Sequence, residues 1–182
     1  AGFDNNTRAG SLSNGMKFGL DKFSENSTEI YAYVQYVISG SDADIKGIKR
    51  GDIFTDVNGT QLTISNYREL LFGNSDSYTI DLATLKTNQI TKTGNRVSLN
   101  NSEQTEQSVH LSKVIVKDGK KGGYVMYNSF VSSQDEALKA VFSDLATRQI
   151  DELVVDLRYN RGGQVETAQL LAGLIAGEHA TK

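Results

Sequence analysis

The chain has 182 residues, a formal net charge of −3, and is 38% hydrophobic and 23% charged. No apolar run approaches the ~20 residues of a bilayer span, and no long basic run suits a phosphate-driven nucleic-acid binder. Cysteine is absent, which excludes disulfides, thiolate zinc sites and a cysteine nucleophile, and two histidines, His110 and His179, are too few for a multi-histidine metal site.

Residues 1–28 are polar and rich in Gly, Asn and Ser, apart from the apolar patch Met16-Lys17-Phe18-Gly19-Leu20. Ile30–Ile38 is dense in aromatic and β-branched residues and predicts a strand. A second strand is expected at Ile53–Val57, closed by Asn58-Gly59, a pair that accepts the positive φ of a tight turn. Ser65 is placed to cap a short helix through Phe72, with Gly73 past its end. Ser77–Leu85 alternates like a strand, and the polar stretch 86–107 reads as a long hairpin tip or loop. Ser108–Lys117 predicts another strand, and the charged turn Lys117–Lys121 marks the expected domain boundary.

Beyond it the pattern changes. Gly123–Val131 predicts a strand, and Ser133 with Glu136 matches a capping box. The box opens a helix with Ala137, Leu138, Val141, Phe142 and Leu145 on one face. Leu153–Leu157 is a short apolar run, as expected of a strand covered on both faces. A paired-glycine turn follows, then a helix with Leu170, Leu171, Leu174 and Ile175 inward, ending near Gly177. Strand, helix, strand, helix is the order of a parallel α/β layer.

Two segments carry chemical information. In Asp156-Leu157-Arg158-Tyr159-Asn160-Arg161-Gly162-Gly163 a strand delivers the chain to paired glycines just before a helix. Such a turn lets a ligand approach backbone N–H groups, close to the positive end of a helix. It suits an anion or an oxyanion; equally, it suits a tight turn whose glycines serve packing, with Asp156 and Arg158 pairing or capping it. The second segment, Gly47 to Gly59, brackets a strand with two turns and by itself indicates a β domain. Asp42-Ala43-Asp44 begins like a calcium loop, but Lys46 and Ile53 stand where oxygen ligands belong. No metal site and no cofactor is expected.

Taken in order, these segments resemble the carboxyl-terminal processing peptidases, or tail-specific proteases: serine peptidases with a PDZ domain joined to a crotonase-like core. Gly47–Gly59 resembles the PDZ segment after the peptide-binding strand, and Met16, Lys17, Phe18, Gly19 and Leu20 match its carboxylate-binding loop. Gly123-Tyr124-Val125-Met126-Tyr127-Asn128-Ser129-Phe130 resembles the first core strand in its Bacteroidetes-type form. Asp156-Leu157-Arg158, Asn160 and Gly162-Gly163 resemble the family's most specific motif. The chain departs from the family in Ser41-Asp42-Ala43, where the middle residue is usually Pro, and in Arg161, where Gly or Pro is common.

The resemblance implies an α+β chain. Residues 1–13 would be a tail, 14–117 a PDZ-like β-barrel or sandwich with short helices, and 118–182 the first, truncated part of an α/β crotonase-like core. It implies an oxyanion donor in the N–H of Gly162 or Gly163, supported by Asp156, Arg158 and Asn160. Nucleophile and base would lie downstream, so these residues alone are expected to be inactive. It further implies protein or peptide C-termini as substrate, an exported, periplasmic or envelope location, and an incomplete core that self-associates, by swapping or otherwise. The alternatives are a non-catalytic PDZ-type peptide-binding module or scaffold, and a small-molecule enzyme whose paired-glycine turn holds a thioester oxyanion.

Overall fold

The computed structural model describes residues 12–87 and 89–177. Most of the expected tail, and His179, lie outside the described residues. The chain divides into two units, Ala1–Thr105 and Glu106–Lys182.

The first unit contains strands β1 (Leu12–Ser13), β2 (Met16–Lys22), β3 (Ile30–Val37), β4 (Ile53–Val57), β5 (Thr60–Gln61), β6 (Ser77–Lys86), β7 (Gln89–Asn100) and β8 (Ser102–Glu103), with helices α1 (Asp42–Ile45) and α2 (Tyr67–Phe72). Its main sheet runs β2-β3-β4-β6-β7, with β5 paired to β4, and β1 pairs β8 separately. The expected barrel is corrected: β2 and β7 end the order without pairing each other, so the sheet stays open. Asn58 and Gly59, at φ 52° and 77°, make the tight turn from β4 into β5. Ile30, Phe54, Val57, Leu62, Ile80 and Leu99 are fully buried in one core. Burying a large apolar side chain contributes about 1.5–3 kcal/mol, so these six residues anchor the unit. Phe18 packs edge-on against Phe54, ring centres 5.6 Å apart.

The polar stretch 86–107 is not a loop. Twelve of its residues form β7, antiparallel to β6. Its own pattern hides this, because among its apolar residues only Leu99 is fully buried. Pairing overrides propensity, helped by Lys92, whose ammonium reaches the buried carboxylate of Asp56 at 2.7 Å. Thr55 donates its hydroxyl to the same carboxylate at 2.6 Å. The ladder shifts register between Asp81 and Ala83, opposite Thr93–Asn95, where Gly94 takes φ 80°. Helix α2 starts one residue later than expected. Asn66, not Ser65, precedes it, its Oδ1 accepting the Thr63 N–H at 2.8 Å.

The second unit contains β9 (Val109–Lys117), β10 (Lys120–Tyr127), β11 (Glu152–Asp156), a 3-10 turn at Ser132–Gln134, and helices α3 (Asp135–Thr147) and α4 (Val165–Ala176). Strand β10 lies in the middle, antiparallel to β9 and parallel to β11. The units therefore divide ahead of the expected boundary at Lys117–Lys121. That segment is a hairpin turn inside the second unit, with Asp118 at φ 52° and Gly119 at φ 78°, the signature of a two-residue β-turn. Val125, Tyr127, Leu138, Leu145 and Leu171 form the core, with Leu153 and Val155 packed against it. Gly123 lets Ile150 pack closely there, since a Cβ would stand 2.7 Å from Ile150 Cδ1 and the side chain would have to shift.

Other expectations change here. The capping box does not form: no side chain caps α3, and Gln134 instead takes the Ser108 N–H at 2.6 Å and donates to the Glu106 carbonyl. Ala137 is exposed. Leu170, Leu171 and Leu174 face the core as expected, whereas Ile175 is 51% exposed. The β11 strand is covered on one face only, with Val154 56% exposed.

Candidate functional site

The turn between β11 and α4 is built on Asp156, the last residue of β11 and only 7% exposed. Arg158 folds back onto it. Its Nε donates to Oδ1 at 2.9 Å, its Nη2 to Oδ2, and its backbone N–H to Oδ1 at 3.0 Å. Tyr124, on the neighbouring strand β10, donates its hydroxyl to Oδ2 at 2.6 Å, and Lys113 of β9 lies over the Tyr124 ring. The guanidinium of Arg158 holds the Asp156 carboxyl well below its usual range, with the Tyr124 hydroxyl adding to the effect against the opposing cost of burial. The same bond raises Tyr124 above an ordinary phenol. A carboxylate fixed on three sides makes a rigid start for the turn.

Phe130 holds the glycines in place. Its N–H donates to the Gly162 carbonyl at 3.0 Å and its carbonyl accepts the Gln164 N–H at 2.9 Å, a parallel bridge between Phe130 and Gly163. The backbones come so close that a Cβ on Gly163 would stand 2.1 Å from the Phe130 carbonyl oxygen, and Gly163 has φ 141°. Asn160 completes the arrangement. Its Oδ1 accepts the Gly162 N–H at 2.7 Å, and its Nδ2 donates to the Tyr127 carbonyl at 3.1 Å.

These bonds sort the amides of the turn. The Gly162 N–H is taken by Asn160 and the Gln164 N–H by Phe130. The C=O and N–H of one trans peptide point in opposite directions. Since the Gly162 carbonyl faces Phe130, the Gly163 N–H of the same peptide points away from it, and no group among the described residues accepts it. Gly163 is exposed, and α4 begins two residues later without a side-chain cap. The sequence offered two amides; the geometry leaves one, directed outward beside the positive end of a helix.

Met16, Lys17, Phe18, Gly19 and Leu20, expected in a loop, lie instead on β2, the end strand of the first unit's sheet. Met16, Phe18 and Leu20 are buried, Phe18 stacked on Phe72 with ring centres 6.0 Å apart. The Phe23 N–H bonds the Glu29 carbonyl, and antiparallel pairs alternate. In this register Gly19 and Asp21 turn their backbone groups towards β3, while Phe18 and Leu20 turn theirs to the outer edge. Sequence reading missed as site residues Tyr124, Tyr127 and Phe130, which fix the turn from afar, and Gln164 beside it. Only the strand register reveals these partners.

Strand, glycine turn and helix thus form the crest of an α/β layer with one presented amide. Comparison with known proteins gives that crest a family. Residues 121–182 match the model of peptidase family S41. A solved structure from Bacteroides fragilis NCTC 9343, assigned to the S41 proteases, is 30% identical, with a TM-score of 0.74 over 91% of this chain and 45% of its own. The photosystem II D1 C-terminal processing protease shares the fold at 22% identity and a TM-score of 0.58, over 92% of this chain and 45% of its own. The expected resemblance thus holds as a likeness to S41 peptidases in sequence over residues 121–182, and to the carboxyl-terminal processing protease in fold. The chain spans less than half the length of either solved structure. No curated protein matches it.

Proposed function

We propose that this chain is the peptide-capturing and oxyanion-donating portion of a serine endopeptidase that cleaves proteins near their C-termini. The observation that carries this reading is the outward Gly163 N–H, inside the segment that matches the peptidase family. In acyl transfer, negative charge develops on the carbonyl oxygen of the scissile bond, and a pre-aimed amide is worth about 3 kcal/mol of barrier. Gly163 supplies that amide. Nucleophile and base are assigned to no residue of this chain, and residues 1–182 alone are expected to hydrolyse nothing.

The first unit acts as a PDZ-like recruiter. A substrate C-terminus adds as a strand beside β2, meeting the outward groups of Leu20, with apolar side chains against Phe72. The second unit fits a crotonase-like core whose open face, with Val154, packs on further chain or on a second copy. Among the described residues no helix is long and apolar enough to cross a membrane, and the reading places the protein outside the cytoplasm, in the periplasm or envelope.

Incubating the full-length protein with an unfolded protein ending in apolar residues tests this. Cleavage that weakens when the terminal carboxylate is amidated is the expected result. Micromolar binding of the same peptides without cleavage overturns the peptidase reading in favour of a binding module.

A further inference from the structure

Two adjacent glycines are the least restrained pair of residues a turn can carry, because each accepts φ of either sign. An oxyanion donor nevertheless has to be aimed before the charge develops. Gly163 is held from one side by the Phe130 bridge, where its own lack of a Cβ permits the approach. Gly162 is less enclosed: its carbonyl accepts the Phe130 N–H at 3.0 Å, but nothing lies within 4 Å of where its Cβ would be, and its φ is 100°. Its remaining restraint is the Asn160 side chain, which takes the Gly162 N–H and is itself held by the Tyr127 carbonyl at the end of β10.

We propose that Asn160 is a positioning residue of the peptidase site. It occupies the competing Gly162 amide and ties the glycine pair to β10, so that the Gly163 amide alone is presented, in one orientation. This rests on the peptidase reading above. The amide side chain suits both tasks, since one atom must accept and the other donate. Asp retains the acceptor and loses the donor; Ala loses both. The bonding chain runs Tyr127, Asn160, Gly162, Phe130.

The test uses the full-length protein with Asn160→Ala and Asn160→Asp. We expect Asn160→Ala to lower kcat about 10- to 100-fold with KM within about twofold, a fraction of the effect of deleting a donor outright. Asn160→Asp recovers part of the loss. In a parallel measurement on the 182-residue chain, hydrogen exchange of the Gly162 amide accelerates ~5-fold or more in Asn160→Ala, as expected for loss of one hydrogen bond, and stays slow in Asn160→Asp. Should Asn160→Ala fail to fold, the Asp variant carries both readouts: slow exchange at Gly162 with a partial loss of kcat is then the expected pair. Unchanged kcat in either folded variant, or a change confined to KM, overturns the inference. Wild-type protein that cleaves no peptide overturns the peptidase reading itself, while the exchange data still report whether Asn160 holds Gly162.

Discussion

The β2 edge and the Gly162–Gly163 turn both offer backbone groups to a ligand, but by different means. At β2 the offer follows from sheet register: alternate residues point outward whatever their side chains. At the turn it depends on a small set of polar side chains, Asp156, Arg158, Tyr124 and Asn160, and on one glycine pressed against a carbonyl. A surface made by register tolerates substitution and adapts to many sequences. A donor made by side-chain ties is exact in position and fragile. Under the function proposed above, recruitment of varied C-termini would draw on the first property, and charge stabilisation at one atom on the second.

Substitutions sharpen that contrast. The largest effect is expected from Gly163→Ala, whose Cβ would stand 2.1 Å from the Phe130 oxygen. We expect it to destabilise the second unit by about 3 kcal/mol or more, on the scale of forced backbone strain, read by chemical denaturation. Gly162→Ala meets open space and should lose only about 1–2 kcal/mol for its left-handed backbone. Equal losses at the two glycines would break the asymmetry drawn here.

Next comes Asp156→Asn, expected to cost roughly 2 kcal/mol at neutral pH, the worth of hydrogen bonds to a charged group. Its pH dependence has a definite sign. The folded-state pKa of Asp156 lies below its unfolded value, so the contribution is complete above about pH 4 and is lost as pH falls further. Melting temperature followed against pH should show a shallower acid limb in the variant; parallel limbs would mean that the carboxylate is not what fastens the turn. At β2 the effects are smaller. Phe72 is 39% exposed and stacks on Phe18, so Phe72→Ala should cost about 1–2 kcal/mol of stability and weaken binding of an apolar-ended peptide about 3- to 10-fold, as expected for ~1 kcal/mol of lost apolar burial. Calorimetric titration reads this. The smallest change is expected from Glu136→Ala, which breaks an exposed pair with Lys139 and should move the melting temperature by less than about 1 °C.

Much of this was legible in the residues. The strands at 30–37 and 53–57, the Asn58-Gly59 turn and the strand–turn–helix around Gly162 follow from local pattern and turn chemistry. The rest depended on partners distant in sequence. Asp118-Gly119 is a strong hairpin signal, yet the charged lysines around it resembled a linker, and only pairing of β9 with β10 shows which unit owns it. β7 is a strand because β6 pairs with it, not because its Thr, Asn and Lys residues favour one. At the site, the choice between two glycine amides was open in the sequence. It turned on Phe130 and Tyr127, some thirty residues away, which meet the turn only through the parallel register of β10 and β11.

The irregularity at Thr93–Asn95 has a consequence for assembly. A sheet with two straight open edges can copy itself, each molecule docking its last strand on the first strand of the next. Here β7 is the far edge, and it is broken midway by residues that have no counterpart on β6. Such a break twists and interrupts the row of hydrogen-bonding groups. The sheet is therefore polar in its sociability: one end can welcome an extended guest, while the other offers no straight template. The first unit's sheet is thereby guarded on its β7 side against pairing with an extended strand of another molecule.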